Sequence, residues 1–361
     1  MKFFNKIFFQ NIASEVVFFN FQKVLKTLKK NKIMKVFVTG AFGNVGESAL
    51  IALFKKGYDV TCFDIKNKNN QKKAEELSKI GSFKTIWGDI TKIEDVKNSL
   101  IDFECIIHLA AIIPPVSEDK PDLARRVNID GTRNLIEVAQ EINPQPRFIF
   151  TSSISTHGPR MADPPPRKAD ETLKPTDNYT HSKVECEKMI KESTLPWIIF
   201  RLAAVPPFKI DLNMAKVLFD MPLEQRVEFV HTRDVGTALA NAVTAEAIHK
   251  ILLIGGGKEC QMLNRVFLTK TLEAFGIKLP SDMAFKLPKT DNDWFYTDWM
   301  DTEESQRLLN FQNTTYDEYI KEMKMRLGWK RFFIKLVSPI ARWYLTRSSP
   351  YLKENKKNLN P

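Results

Sequence analysis

The 361-residue sequence predicts an α/β fold: a doubly wound parallel sheet of the Rossmann type, followed by a smaller C-terminal lobe. Three observations point there. Short apolar runs alternate with helix-length segments from Lys35 to Ala204. The runs are nearly continuous in apolar residues, as expected of strands covered on both faces. The first run ends in a glycine-rich turn that opens a helix, which is how such sheets begin.

The strand-like runs are KVFVTG, DVTCFD, FKTIWGD, CIIHLAA, RFIFTSS and WIIFRLA, with helical stretches near 44–56, 92–100, 124–141 and 178–193. After Ala204 the regularity weakens. A loop-rich stretch opened by Pro206-Pro207 runs to about Arg226, followed by VEFVH, a helix near 234–246, ILLIGGG, and helices near 261–275 and 301–327. The expected organisation is a dispensable extension at 1–33, a main domain at 34–204, a second lobe at 205–327 with segments returning to the main domain, and a basic helix and tail at 328–361. The last eleven residues are polar and expected to fray.

The net charge of +11 sits at the ends: residues 1–35 carry +7, residues 319–361 carry +9, and the body between them carries −5. That excludes a basic groove on the body, and with it nucleic acid as a partner. Cys62, Cys105, Cys186 and Cys260 form no CxxC pair and no Cys/His metal spacing, so no metal is expected. Cys62 and Cys105 fall inside apolar runs, as reduced thiols of a cytoplasmic protein do. No run of about 18 apolar residues is present to span a membrane. The Phe-rich start, MKFFNKIFFQNIASEVVFFNF, is broken by polar residues and lacks the small-residue cleavage site of a secretory signal.

Chemistry enters at Thr39-Gly40-Ala41-Phe42-Gly43-Asn44-Val45-Gly46. Gly40 permits the tight turn, Gly43 lets backbone approach a pyrophosphate, and Gly46 lets helix pack on strand. The helix N-terminus offers unpaired N–H groups to the phosphates. Asp64 closes the second strand, eighteen positions past Gly46. Its carboxylate suits the ribose hydroxyls of NAD and repels the extra phosphate of NADP, although Lys66 and Lys68 stand close behind.

The spacing TGxxGxxG resembles the extended short-chain dehydrogenase/reductase superfamily, which includes sugar-nucleotide epimerases and 3β-hydroxysteroid dehydrogenases; the likeness runs from about 35 to 312. It implies that Phe42, Asn44 and Val45 join the glycines in holding NAD, that Asp89 and Ile90 meet the adenine, and that Leu109, Ala110 and Ala111 run beneath the cofactor. It also implies that Asn128 supports the active-site network, and that the chain forms a homodimer through two helices. Asp301-Thr302 leads into LLNF, where Asn310 replaces a customary glycine as a left-handed helix cap.

Tyr179 and Lys183 stand four apart, so a helix presents both on one face. A neighbouring ammonium is expected to lower the tyrosine pKa, and the lysine can also reach the nicotinamide ribose and contact the cofactor beside the tyrosine. Such a pair recurs by chance in many sequences; here it follows a strand ending in Ser152-Ser153, in the superfamily's order. Counting back from Gly158, Ser153 matches the superfamily's catalytic serine. The implied activity is NAD(P)-dependent hydride transfer at a hydroxyl or carbonyl carbon of a sugar-nucleotide-like or sterol-like molecule, by an oxidoreductase or an epimerase. TSSIS lacks the acidic pair of the dehydratase branch. A cofactor-sensing protein without catalysis is the alternative, and such proteins typically lose the Tyr/Lys pair.

His157 replaces a customary tyrosine and is expected to line the pocket or touch substrate. Ala204-Val205-Pro206-Pro207-Phe208 replaces a Tyr-Gly-Pro turn, and the stretch to Phe229 is short for a nucleotide-diphosphate cradle. Asp234 is expected to be an N-cap. Arg201 and Arg226 are expected in salt bridges, with anion binding as the alternative. Trp329, Phe332, Phe333, Leu336, Val337, Ile340 and Tyr344 recur at helical spacing among Lys330, Arg331, Lys335 and Arg342, with Pro339 set to kink or break the helix. That stripe either covers the protein's own body or a partner subunit, or lies peripherally on an anionic membrane.

Overall fold

The computed structural model describes residues 33–206 and 218–359. The chain divides into two units, Met1–Met34 and Lys35–Pro361, and the architecture is that of the second. Nearly all of the extension at 1–33, and Pro207 and Phe208, lie outside the described residues.

The main sheet has seven parallel strands in the order β3-β2-β1-β4-β5-β6-β8. In chain order, β1 (Lys35–Thr39) leads to α1 (Asn44–Lys56), β2 (Asp59–Asp64), α2 (Lys68–Ser78), β3 (Lys84–Trp87), α3 (Ile93–Ser99) and β4 (Cys105–His108). A short helix (Pro121–Arg125) and a π-turn (Arg126–Asp130) then lead into α4 (Gly131–Glu141), β5 (Arg147–Ser153), α5 (Asn178–Glu192) and β6 (Trp197–Leu202). The chain order reverses direction between β1 and β4, and ligands of such sheets bind outside the carboxyl ends of those strands. The continuous apolar runs are buried as expected: Phe37, Ile106, Phe148, Phe150 and Ile199 share one core cluster with residues of α4 and α5. All four cysteines are free and buried.

The later half contributes β7 (Arg226–Glu228), α6 (Thr232–Ala242), β8 (Lys250–Ile254), β9 (Gln261–Leu263), α7 (Asn264–Phe275), α8 (Glu303–Leu309), α9 (Tyr316–Leu327), α10 (Lys330–Ser348) and α11 (Leu352–Leu359). Two expectations need correction. The sheet takes a seventh strand, because ILLI pairs with β6 rather than standing in the outer lobe. The tail is ordered by a side chain: Asn355, on α11, donates to the carbonyls of Met283 and Phe285 at 3.0 and 2.8 Å. The helical stretch over 301–327 divides, as the Asn-for-Gly exchange implied, at Asn310, whose φ of +43° is a left-handed cap.

Asp234 is not the cap of α6. His231 is, its Nδ1 accepting the Arg233 N–H at 3.0 Å. Asp234 lies in the first turn, where its Oδ2 accepts the N–H groups of Asn313 and Thr314 and thereby ties α6 to the segment before α9. A carboxylate near a helix N-terminus is stabilised in either place, and spacing alone does not separate them.

Candidate active site

The glycine loop crosses the carboxyl end of β1 and presses against the end of β4. Gly40 has φ +65°, and a Cβ there would stand 2.6 Å from the Ala110 nitrogen, so the contact demands glycine. The Leu109 N–H completes the contact by donating to the Thr39 carbonyl at 3.2 Å. Beneath it His108 is fully buried, bridging Thr39 and Thr132 at 2.7 and 2.9 Å. Burial, and then the Lys183 charge, push its imidazole down to about 3, so it is a neutral strut.

α1 begins at Gly43 with no side chain capping it. Its first N–H groups therefore have no capping side chain, which leaves them for a phosphate to accept from. Asp64 is turned toward the same loop, with Oδ2 accepting the Phe42 N–H at 3.1 Å and Oδ1 accepting from Ile65 and Asn70. Burial raises its pKa, and the two backbone donors oppose that rise. Asp89 holds a turn through Thr91, and the Ile90 carbonyl accepts from Asn134.

α5 brings the reacting groups over the end of β5. Its first turn is held by two carboxylates. Asp177 caps the Thr180 N–H at 2.7 Å, while Glu118 accepts the N–H groups of Asn178 and Tyr179 at 3.1 and 3.2 Å. Negative charge at a helix N-terminus is favourable, so the Tyr179 backbone is fixed by electrostatics as well as by hydrogen bonds. The Tyr179 phenol lies near enough to Ser153 for that side chain to draw its pKa down. Ser153 accepts from the Ser155 N–H and hydroxyl, at 3.2 and 2.8 Å.

Lys183 is buried, with Nζ donating to the Thr151 carbonyl at 2.7 Å and lying 5.7 Å from the Tyr179 ring centre. Burial lowers its pKa to about 8. The expected lowering of the tyrosine pKa is not what the structure shows. Burial, followed by Asp177, raises the phenol above its ordinary value, and only the nearby Ser153 side chain opposes them.

Asn128 lies in the π-turn and is buried. Its Oδ1 accepts the Ile112 N–H at 2.7 Å, and its Nδ2 donates to the Ile112 carbonyl at 2.9 Å and to the Ser182 hydroxyl at 3.2 Å. It thus fastens the loop after β4, with Ala110 and Ala111, to the helix that carries Tyr179.

His157 does not line the pocket. It is 1% exposed, with its ring nitrogens 3.1 and 3.0 Å from the carbonyls of Ile154 and Lys168. Arg201 pairs with Glu187 at 3.0 and 2.7 Å, and Arg226 pairs with Asp298 at 2.6 and 2.9 Å, so both form the expected salt bridges. Sequence reasoning missed Glu118 and Tyr296. The Tyr296 hydroxyl lies close to Asp177, two residues before Tyr179, and burial and then that carboxylate raise its pKa. Its loop is pinned by buried Gln225, which accepts from Phe295 N–H and donates to the Thr297 carbonyl, both at 2.7 Å. The aromatic run DNDWFYTDWM just before Asp301 was the available signal.

Residues 37–195 match the family model described as the 3-beta hydroxysteroid dehydrogenase/isomerase family. A 3-beta-hydroxysteroid dehydrogenase of Mycolicibacterium neoaurum is 33% identical over 165 residues, 43% of this chain and 42% of that protein. The human sterol-4-alpha-carboxylate 3-dehydrogenase, decarboxylating, is 26% identical over 212 residues, 57% of this chain and 53% of that protein. The matches thus span about half or less of those curated relatives. Among solved structures, the UDP-glucuronic acid 4-epimerase from Bacillus cereus, in complex with UDP-glucuronic acid and NAD, superposes with a TM-score of 0.64. It is 22% identical, and the superposition covers 84% of this chain and all of that one, a likeness of fold. The resemblance read from the motifs is borne out: the chain has the fold and the motif order of the extended short-chain dehydrogenase/reductase superfamily.

Proposed function

We propose that this chain is an NAD-dependent oxidoreductase or epimerase that transfers hydride at a hydroxyl-bearing carbon, with Tyr179 moving the proton. The observation that carries this reading is the convergence of Tyr179, Ser153 and Lys183 at the carboxyl end of β5, beside an uncapped glycine-loop helix. The residues present fit the cofactor. Gly40, Gly43 and Gly46 leave a side-chain-free cradle, and the backbone of Phe42, Asn44 and Val45 completes it. Asp64 would take the ribose hydroxyls, Asp89 and Ile90 would meet the adenine, and Leu109, Ala110 and Ala111 would run beneath the cofactor. Bound NAD would supply the hydride-accepting carbon and a positive ring charge.

The protein's own part is proton handling and position. Ser153 holds the substrate oxygen, and the Tyr179 phenol gives a proton to that oxygen or takes one from it. Burial, and then Asp177, keep the phenol protonated, the form that protonates a carbonyl oxygen. Lys183 keeps its ammonium on the Thr151 carbonyl, and with NAD bound it would hold the nicotinamide ribose. Asn128 is a positioning residue, since its contacts are with Ile112 and Ser182.

For substrate we propose an uncharged, largely apolar alcohol or ketone rather than a nucleotide-diphosphate sugar. Arg201 and Arg226, for which anion binding was the alternative to a salt bridge, are held by Glu187 and Asp298. The segment that reaches Asp177, at the start of the tyrosine's helix, carries Phe295 stacked on Tyr296, with ring centres 4.1 Å apart. A peripheral place on a membrane surface and a homodimer belong to the same proposal. Among the described residues no helix is long and apolar enough to cross a membrane. A screen of cyclic alcohols, ketones and sugar nucleotides, read by absorbance of the reduced cofactor and by product stereochemistry, tests the reading. Cofactor binding without turnover of any of them would favour the sensing alternative instead.

A further inference from the structure

α10 shows its apolar stripe to solvent rather than to the body. Trp329 is 73% exposed, Phe332 64%, Leu336 63% and Ile340 70%, values that rule out the expectation of a stripe covering the chain's own core. The opposite face does the packing: Ser338 is buried, Ile334 and Ala341 are half-buried, and Leu345 joins the cluster of Phe219, Leu268 and Phe285. Pro339 does not break the helix, which runs unbroken from Lys330 to Ser348.

The helix is fastened along its length. Arg331 donates to the carbonyls of Ala274 and Glu273 at 3.1 and 3.0 Å, and Arg342 donates to the Leu279 carbonyl at 2.8 Å. Beyond its end the Ser349 hydroxyl donates to the Ala284 carbonyl, and Tyr351 donates to Asp220 at 2.6 Å. A helix so held presents its outer face as a fixed surface.

Charge decides what that surface fits. Residues 330–348 include no Asp or Glu, and of their five Lys or Arg, Arg331 and Arg342 are engaged with the body while Lys330, Lys335 and Arg347 are exposed. Arg347 lies 4.6 Å over the Trp343 ring, an aromatic and a cation sharing one place at the rim. In a symmetric pair of copies this face would meet itself and set like charges against each other. An anionic bilayer matches both parts, with acyl chains and headgroup zone for the aromatics and lipid phosphates for the cations.

We infer that the outer face of α10 is a docking surface for an anionic lipid bilayer, on which the helix lies parallel to the membrane. Through Leu345, Tyr351 and the Phe219–Phe285 cluster, docking holds the later-half segments around residues 219–223 and 279–285 against the bilayer. This deepens the peripheral placement proposed above. It uses no residue of the reaction site, so its failure leaves the enzymatic reading standing.

The test is sedimentation of the full chain with phosphatidylcholine vesicles, with and without phosphatidylserine, at low and high salt. The wild type is expected to bind phosphatidylserine vesicles at low salt and to loosen as salt rises. The triple variant Phe332→Glu, Leu336→Glu, Ile340→Glu should lose at least about tenfold in binding, since each buried large apolar side chain is worth about that factor. Its melting temperature should be unchanged, because the replaced side chains face solvent. Absence of vesicle binding by the wild type would overturn the inference, and so would equal binding by the variant. A wild-type dimer in light scattering that the variant dissolves, without vesicle binding, would assign the face to a second copy.

Discussion

Replacing Asn128 with alanine tests whether the glycine-loop side of the site and the catalytic helix are mechanically joined. The change deletes three hydrogen bonds, to the Ile112 N–H, the Ile112 carbonyl and the Ser182 hydroxyl. Each is worth about 1 kcal/mol net. Ile112 is half-buried, so water can reach its freed groups, and Ser182 keeps its bond to the Tyr179 carbonyl at 2.7 Å. The sum therefore stays near 2–3 kcal/mol, without a large added penalty for stranded groups. With an unfolding entropy of about 2.1 cal/mol/K per residue, a body of this size should melt about 3–5 °C lower. Turnover should fall more than stability implies, because Tyr179 and the loop carrying Ala110 and Ala111 lose their common reference. The assay pairs thermal unfolding with steady-state kinetics at saturating NAD. An alanine variant that keeps both its melting temperature and its turnover would refute the reasoning, and would reduce Asn128 to a passive helix residue.

Two other outcomes follow from the same site. NAD should bind more tightly than NADP, by at least about tenfold or 1.4 kcal/mol, because Asp64 is held toward the loop by the Phe42 N–H; dissociation constants measured at fixed ionic strength that favour NADP would show that Lys66 and Lys68 dominate. Lys183, with its pKa lowered to about 8 by burial, keeps its ammonium below that pH and loses it above. The unfolded chain holds that proton to about pH 10.4, so Lys183 should add to folding stability as pH rises from about 8 to 10.4. NAD affinity should fall over the same range, and titrations with Lys183→Met should lose that slope; an unchanged slope would assign it to another group.

Local patterns carried the main sheet. Six of its strands were legible because parallel strands covered on both faces read as unbroken apolar runs, and the glycine turn was legible because Gly40 needs both a positive φ and close contact with Ala110. The seventh strand escaped because its partner, β6, lies about fifty residues earlier, beyond the regular alternation. Tyr179, Lys183 and Ser153 were found from order and spacing. Glu118 and Tyr296 were not, since they reach α5 from segments some sixty residues before it and more than a hundred after it. His157 and Asp234 were misplaced for a common reason: a polar residue near a site and one buried against backbone carry the same letter. The direction of the tyrosine pKa depends on burial and on Asp177, neither of which the YxxxK spacing encodes.

The proposal that Tyr179 is the proton-transfer group is tested most directly by Tyr179→Phe, assayed for turnover and for NAD affinity on the same preparation. The phenylalanine keeps the ring and removes only the hydroxyl that lies near Ser153. Turnover should fall by about a thousandfold, within the range that general acid–base groups contribute, while the NAD dissociation constant changes little. A variant that retains most of its turnover would contradict the account.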